Sequence, residues 1–519
     1  MRFVLGTILA LGAASAQTAA VSALGGAPPE TTACERVASL ALADATITLA
    51  QPVDAGAFTP PAGGRGAAGE GRAGAGPFAA LPAFCRVAAT LKPTSDSDIK
   101  IEVWLPAAGW NGKFQAVGNG GWAGTISYPA MAAALKRGYA TSSTDTGHAG
   151  GSGSFALGHP EKFVDFAYRS EHEMTVKAKA IIDGYYGRAP QRSYWNGCST
   201  GGRQGLAEAQ RYPDDYDGII AGASANPRTH LNAWQLSIAQ AMLKDPASFI
   251  PPAKYPTIHQ AVLAACDALD GVKDGLITDP PRCRFDPKSL ECKGDDGPSC
   301  LTRAQAIAAS IAMSPVKNPR TGDEMFPGLE PGTELAWAGL VGGPEPVATA
   351  LDQFKYVVFQ DAAWDWRTFD LERDLARAVH VDGGTINAVN PDLTRFARHG
   401  GKLLMYHGWS DGSVAPRASV NYYTSVVKTM GGPAQTGDWV RLFMVPGMGH
   451  CGGGEGPNTF DTVAALEQWV ERGKAPDRII ASRVTGASVE RTRPLCPYPQ
   501  IATYAGTGSI DEAASFACK

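Results

Sequence analysis

The chain has 519 residues, a length that suits one large domain with an insertion or two domains. Hydrophobic residues make up 44% and charged residues 18%, which excludes a disordered or fibrous chain. The formal net charge of −4, with no basic run and no stripe of stacking aromatics, implies no polyanion partner, so no nucleic-acid partner is expected.

The N-terminus opens with Met1-Arg2, an apolar run over 3–14, and Ala14-Ser15-Ala16. This is the pattern of a secretory signal over 1–16, with a second candidate cut after Ala23. The expected location is therefore exported, periplasmic or secreted. The apolar run is shorter than the roughly 20 residues needed to span a bilayer, and no later stretch reaches that length, so no membrane partner is expected.

All ten cysteines (34, 85, 198, 266, 283, 292, 300, 451, 496, 518) lie beyond the signal, and an even count in an exported chain argues for disulfides. Spacing suggests Cys34–Cys85, Cys266–Cys283, Cys292–Cys300 and Cys496–Cys518 as local loops. Cys198 and Cys451 remain, although spacing alone leaves the connectivity open. Zinc ligation would need C-x-x-C spacing, which is missing.

Residues 34–54 read as a helix and then a strand. Residues 55–79 are rich in Gly, Ala and Pro and predict a mobile surface loop. Alternating apolar and polar residues over 85–91 and 99–105 predict half-buried strands, followed by a strand at 114–117. A helix at 129–137, a strand at 139–143, a helix at 171–186 and a strand at 192–195 follow. Such alternation predicts an α/β fold with a mostly parallel sheet. The rhythm fades after residue 225, and 225–390 is expected to be an insertion capping the sheet, a lid domain. The core is then 34–224 plus 391–519. Strands return at 401–408 and 440–445, with helices near 416–430 and 459–472.

At the end of the 192–195 strand stands Gly197-Cys198-Ser199-Thr200-Gly201, a G-x-S-x-G nucleophile elbow as found in α/β-hydrolases. Ser199 is the expected nucleophile. His450, in a glycine-rich loop after the 440–445 strand, is the expected base, and Asp411, after the 401–408 strand, its orienting acid. The order Ser, Asp, His is that of the α/β-hydrolase fold; Asp145 also ends a strand but precedes the elbow. Cys198 before the serine and Cys451 after the histidine suggest a bond that fastens nucleophile to base. The oxyanion hole is expected from the N–H groups of Thr200 and of Gly120 or Gly121, in the cluster Gly118-Asn119-Gly120-Gly121. His407 also ends a strand and is expected near the pocket.

Within the insertion, Asp267, Asp270 and Asp274 are spaced by three and four residues among glycines. With the carbonyls of Val272 and Leu276 they predict a calcium loop, distinct from an EF-hand in spacing and in having no closing glutamate.

Together the Gly197-Cys198-Ser199-Thr200-Gly201-Gly202 elbow, the Asp411 loop, Gly449-His450-Cys451 and the acidic loop resemble the tannase and feruloyl esterase family, which includes mono-hydroxyethyl terephthalate hydrolases. The resemblance spans nearly the whole mature chain. It implies an α/β-hydrolase core with a lid, five disulfides including one between elbow and histidine loop, and a structural Ca²⁺ in the lid. It also implies a serine esterase acting on small-molecule aromatic esters: feruloyl, with gallate or terephthalate monoesters as alternatives. Substrate choice would lie in the lid, where Trp337, Trp364, Trp366, Arg367 and Phe369 are candidates to meet a phenolic ring and its polar groups. A peptidase on the same fold shares the triad, but the flanking cysteines argue against it. An intact triad argues against a non-catalytic binding protein.

Overall fold

The structure is a computed structural model that describes residues 32–61, 76–318 and 320–519. The expected signal segment lies outside these residues, as does 62–75 of the glycine-rich stretch. The flanks of that stretch are packed rather than loose. Phe58 is buried against Phe84, Trp104 and Tyr128, so the expected surface loop is anchored at its start by one aromatic side chain.

Nine strands form one sheet: β1 (Ala45–Val53), β2 (Phe84–Leu91), β3 (Ile99–Pro106), β4 (Lys113–Val117), β5 (Ala140–Thr144), β6 (Arg192–Cys198), β7 (Gly218–Gly222), β8 (Lys402–Gly408) and β9 (Val440–Val445). Their spatial order is β1-β2-β3-β5-β4-β6-β7-β8-β9. Strands β4 to β9 run parallel, while β1, β2 and β3 form an antiparallel edge. This is the α/β-hydrolase arrangement.

The central strands alternate between two covered faces, as parallel strands buried on both sides must. Trp195, Ile219, Leu403 and Leu442 point to one face, under the helices α1 (Ser170–Tyr186), α2 (Thr200–Arg211) and the later helix Pro416–Thr429. Tyr194, Ile220, Leu404 and Phe443 point to the other, where Leu466 and Trp469 of the helix Thr462–Arg472 pack. Both faces therefore lock the same carboxyl-terminal strand ends, from which the loops bearing Ser199, Asp411 and His450 emerge.

The chain between β7 and β8 builds a largely helical layer with its own core around Trp234, Trp337 and Trp366. Its helices include α3 (Arg228–Leu243), Tyr255–Cys266, Arg303–Met313 and Leu371–Asp382. The sequence rhythm faded here because α3 is buried on nearly every side, so no polar stripe marks its period. Beyond the last core helix, a hairpin (Ile479–Thr485 with Ser488–Leu495) and a short strand pair close the chain.

Five disulfides form: Cys34–Cys85, Cys198–Cys451, Cys266–Cys283, Cys292–Cys300 and Cys496–Cys518. No helix of the described residues is long and apolar enough to cross a membrane.

Candidate active site

Ser199 stands on the sharp turn from β6 into α2, with φ 62° and ψ −122°. An L-residue avoids this backbone region, so the surroundings must hold it. They do: its N–H donates to the Gly222 carbonyl (2.9 Å) and its carbonyl accepts from the Ala225 N–H (3.2 Å). The turn is too crowded for side chains. A Cβ on Gly197 would lie 2.3 Å from the Gly201 carbonyl oxygen, and one on Gly202 would lie 2.3 Å from that of Gly222. The Ser199 side chain is half-buried, and its hydroxyl makes no hydrogen bond among the described residues. In unliganded enzymes such bonds are often long and tighten on substrate binding.

Asp411 is fully buried where β8 ends. Its Oδ1 accepts from the Ser413 and Val414 N–H groups (2.7 and 3.0 Å). Its Oδ2 lies 2.6 Å from His450 Nδ1 and 3.0 Å from His407 Nε2. The His450 nitrogen facing a carboxylate carries the proton, which leaves Nε2 as the basic lone pair. Burial alone would push the Asp411 carboxyl up, but His450 and His407 beside it hold it well below the usual carboxylate range. Burial disfavours the His450 imidazolium, yet the Asp411 charge outweighs it and raises His450 above its ordinary value.

The loop expected to supply oxyanion donors is fastened to the elbow. The Gly201 N–H donates to the Asn119 carbonyl (2.8 Å) and Thr200 Oγ1 donates to the Gly121 carbonyl (2.9 Å). Gln204 accepts the Asn119 N–H through Oε1 (2.9 Å) and donates to Asn119 Oδ1 through Nε2 (3.1 Å). The N–H groups of Gly120 and Gly121 make no hydrogen bond among the described residues. Thr200 is the first residue of α2, so its N–H has no helical acceptor. Three uncommitted donors therefore surround the serine turn.

The pocket candidates fall elsewhere. His407 is fully buried behind Asp411, with Nδ1 2.8 Å from Ser419 Oγ, and serves the acid rather than a ligand. Trp337, Trp366 and Phe369 are buried in the lid core, where their volume is best accommodated. Trp364 stacks on Phe359, and Arg367 is an exposed side chain lying over Trp366 and paired with Asp365 and Glu345. All five are engaged in the lid's own packing or surface.

In the acidic loop, Asp267 accepts the Asp274 and Gly275 N–H groups (both 3.1 Å), and Asp270 accepts that of Val272 (3.0 Å). Asp274 is nearly buried, and Arg493 donates to its Oδ2 (2.6 Å). Burial raises the Asp274 carboxyl, Arg493 and Arg491 oppose this, and Asp270 and Asp267 add to it. The Val272 and Leu276 carbonyls accept no hydrogen bond among the described residues. This donor set, all oxygen and crowded with negative charge, fits a hard divalent cation. The three carboxylates do not yet bring one oxygen each within 4.8 Å of one another.

Sequence reasoning missed two groups near the site. Arg228, the first residue of α3, reaches Thr200 Oγ1 with a guanidinium N–H (3.1 Å). His259 bridges Glu334 and Glu455, tying the lid to the loop that carries His450. Neither lies in a recognisable local motif.

A family model described as tannase and feruloyl esterase matches residues 85–519. The chain belongs to the tannase and feruloyl esterase family. It is a carboxylic ester hydrolase. It is 40% identical to an uncharacterized esterase of Xanthomonas campestris pv. campestris, over 100% of this chain and 95% of that one. The crystal structure of feruloyl esterase B from Aspergillus oryzae superposes with a TM-score of 0.87 at 32% identity, covering 94% of this chain and 100% of that one. Tannin acyl hydrolase from Aspergillus niger, at 22% identity and a TM-score of 0.76 over 93% of this chain and 92% of that one, shares the fold.

Proposed function

We propose that the protein hydrolyses esters of phenolic acids, feruloyl esters first, through a Ser199 acyl-enzyme. The observation that carries this reading is the Asp411–His450 contact (2.6 Å) held beside the serine turn by the Cys198–Cys451 bond. The relatedness to feruloyl esterase B supports the acyl class. Gallate and terephthalate monoesters are the alternatives within the family.

In this mechanism His450 Nε2 takes the Ser199 proton as Oγ attacks the ester carbonyl. The Thr200 N–H and that of Gly120 or Gly121 hold the oxyanion. Collapse expels the alcohol, which receives the proton from His450. A water then gives a proton to His450 and attacks the acyl-enzyme, and a second collapse releases the acid and restores Ser199. Asp411 orients the imidazole and stabilises its charged form.

We further assign a structural Ca²⁺ to Asp267, Asp270 and Asp274 with the carbonyls of Val272 and Leu276. Bound there it would neutralise the carboxylates and draw the loop together. Export to the periplasm or medium is supported by the five disulfides, which persist in oxidising compartments.

The test is hydrolysis of methyl ferulate, methyl gallate and mono-hydroxyethyl terephthalate by the purified chain beside its Ser199→Ala variant. Cleavage of methyl ferulate that vanishes in the variant is expected. A folded protein that labels with a serine-reactive phosphonate but cleaves none of the three would overturn the acyl class.

A further inference from the structure

Arg228 is 2% exposed, and it sits where the chain leaves the sheet to enter the lid. A buried guanidinium is normally matched by a carboxylate, because an uncompensated charge in a low-dielectric site is strongly unfavourable. Arg228 has no such match. Its Nε and Nη2 groups have no hydrogen-bond partner among the described residues, and it forms no ion pair among them. Its neighbours sharpen the anomaly. The guanidinium lies 4.4 Å from the Trp122 ring centroid, on the residue after Gly121. The charged groups that act on it are Arg203, itself fully buried, which repels it, and Asp352, which attracts it. The Asp352 carboxylate is already engaged by Ser152 Oγ (2.9 Å) and the Gly153 N–H (2.8 Å).

The one side-chain hydrogen bond Arg228 makes among the described residues is informative. Nη1 donates to Thr200 Oγ1 (3.1 Å), and Thr200 Oγ1 donates to the Gly121 carbonyl (2.9 Å). The chain Arg228–Thr200–Gly121 thus crosses from the lid, through the residue after the nucleophile, to the glycine loop. Its Thr200–Gly121 link joins the two segments whose free N–H groups surround the serine turn, and Arg228 holds the shared hydroxyl. A cation at this point is unfavourable in the resting enzyme and becomes favourable when an oxyanion forms between those segments.

We propose that Arg228 is a positioning residue of the oxyanion site, which fixes the Thr200 and Gly120–Gly121 donors relative to each other and biases the site electrostatically toward the tetrahedral oxyanion. This rests on the serine mechanism proposed above. Fixed donors and charges that need no reorganisation are what makes such sites effective. Trp122 also donates to the Thr349 carbonyl (3.1 Å), so the ring beneath Arg228 is itself held by the lid.

The experiment compares wild type with Arg228→Met, Arg228→Lys and Thr200→Val. The readouts are kcat and KM on the best ester, and the rate of Ser199 phosphonylation, whose phosphoryl oxygen enters the same site. Removing one direct oxyanion donor lowers kcat by about 10²–10³-fold, so losing its positioning should lower kcat and the phosphonylation rate by roughly 10–100-fold in Arg228→Met. KM should change little. Arg228→Lys, which restores the charge, should recover at least about tenfold of the loss. Thr200→Val keeps the backbone N–H but cuts the chain, and should also slow both reactions. It decides the matter if Arg228→Met fails to fold. A folded Arg228→Met or Thr200→Val that phosphonylates at the wild-type rate, or that loses only in KM, would overturn the proposal. If no ester is cleaved, the substrate reading fails separately while phosphonylation still reads Arg228.

Discussion

Cys198 and Cys451 are bonded to each other across 253 residues, with Cα atoms 5.9 Å apart, and each is the direct chain neighbour of a residue assigned to catalysis. Cys451 has φ 61° and Ser199, next to Cys198, has φ 62°, so a strained residue stands at or beside each end of the clamp. Closing so long a loop stabilises the fold by about 5 kcal/mol in the chain-entropy account. The clamp should also act on position, since a shift of about 1 Å between catalytic groups costs roughly 100-fold in rate. Cys198→Ala combined with Cys451→Ala is expected to lose at least about tenfold in kcat at temperatures where the variant remains folded. Parallel activity and melting curves check this; full activity in the double variant would remove the clamp from catalysis.

The Asp411–His450 pair sets a pH profile. The base works neutral, and His450 is raised above the ordinary histidine value of 6.5. Activity should therefore rise from the acid side through an apparent pKa above 6.5. Asp411→Asn removes the charge that lifts His450, so the limb should move toward lower pH. The plateau should fall by about 10⁴, as when the orienting acid of a triad is neutralised. Plots of kcat/KM against pH for both proteins decide it. A limb that stays in place would show that Asp411 is not what raises His450.

The elbow was legible in the sequence because its requirements are local. Gly197 is demanded by the Gly201 carbonyl within the same strand-helix turn and Gly202 by the Gly222 carbonyl at the end of the next strand, and Asp411 and His450 each follow a plain apolar strand. The lid was harder. Helix α3 is buried nearly all round, so it shows no clean period. The aromatic pocket candidates show a related limit. Composition cannot tell a ring that meets substrate from one that fills a core, and Trp337 and Trp366 fill the lid core. Arg228 and His259 acquire their meaning from Thr200, Trp122, Glu334 and Glu455, which come from distant segments.

The acidic loop makes a prediction independent of catalysis. A cation bound only by the folded chain raises the melting temperature with its concentration. Added Ca²⁺ should raise the melting temperature and a chelator should lower it, and Asp270→Asn should blunt both. Asp274 is the poorer probe because its loss would also strand Arg493. No shift at any Ca²⁺ or chelator concentration would remove the ion from the loop.

His259 predicts a separate dependence of stability on pH. Its Nδ1 lies 2.8 Å from Glu334 and its Nε2 2.9 Å from Glu455, so both ring nitrogens face carboxylates. Only the imidazolium can donate from both. Burial opposes the charge, but the two glutamates outweigh it and raise His259 above 6.5. A raised folded value means the stabilisation is complete below the unfolded value near 6.5 and is lost as pH rises through the folded value. Because Glu455 belongs to the loop carrying His450, this contact links lid retention to the proposed base. His259→Ala should therefore lower the melting temperature most at mildly acidic pH, with the gap to wild type narrowing as pH rises above neutrality. Melting curves of both proteins across that range test it. A gap of constant size would mean that His259 holds the lid without its charge.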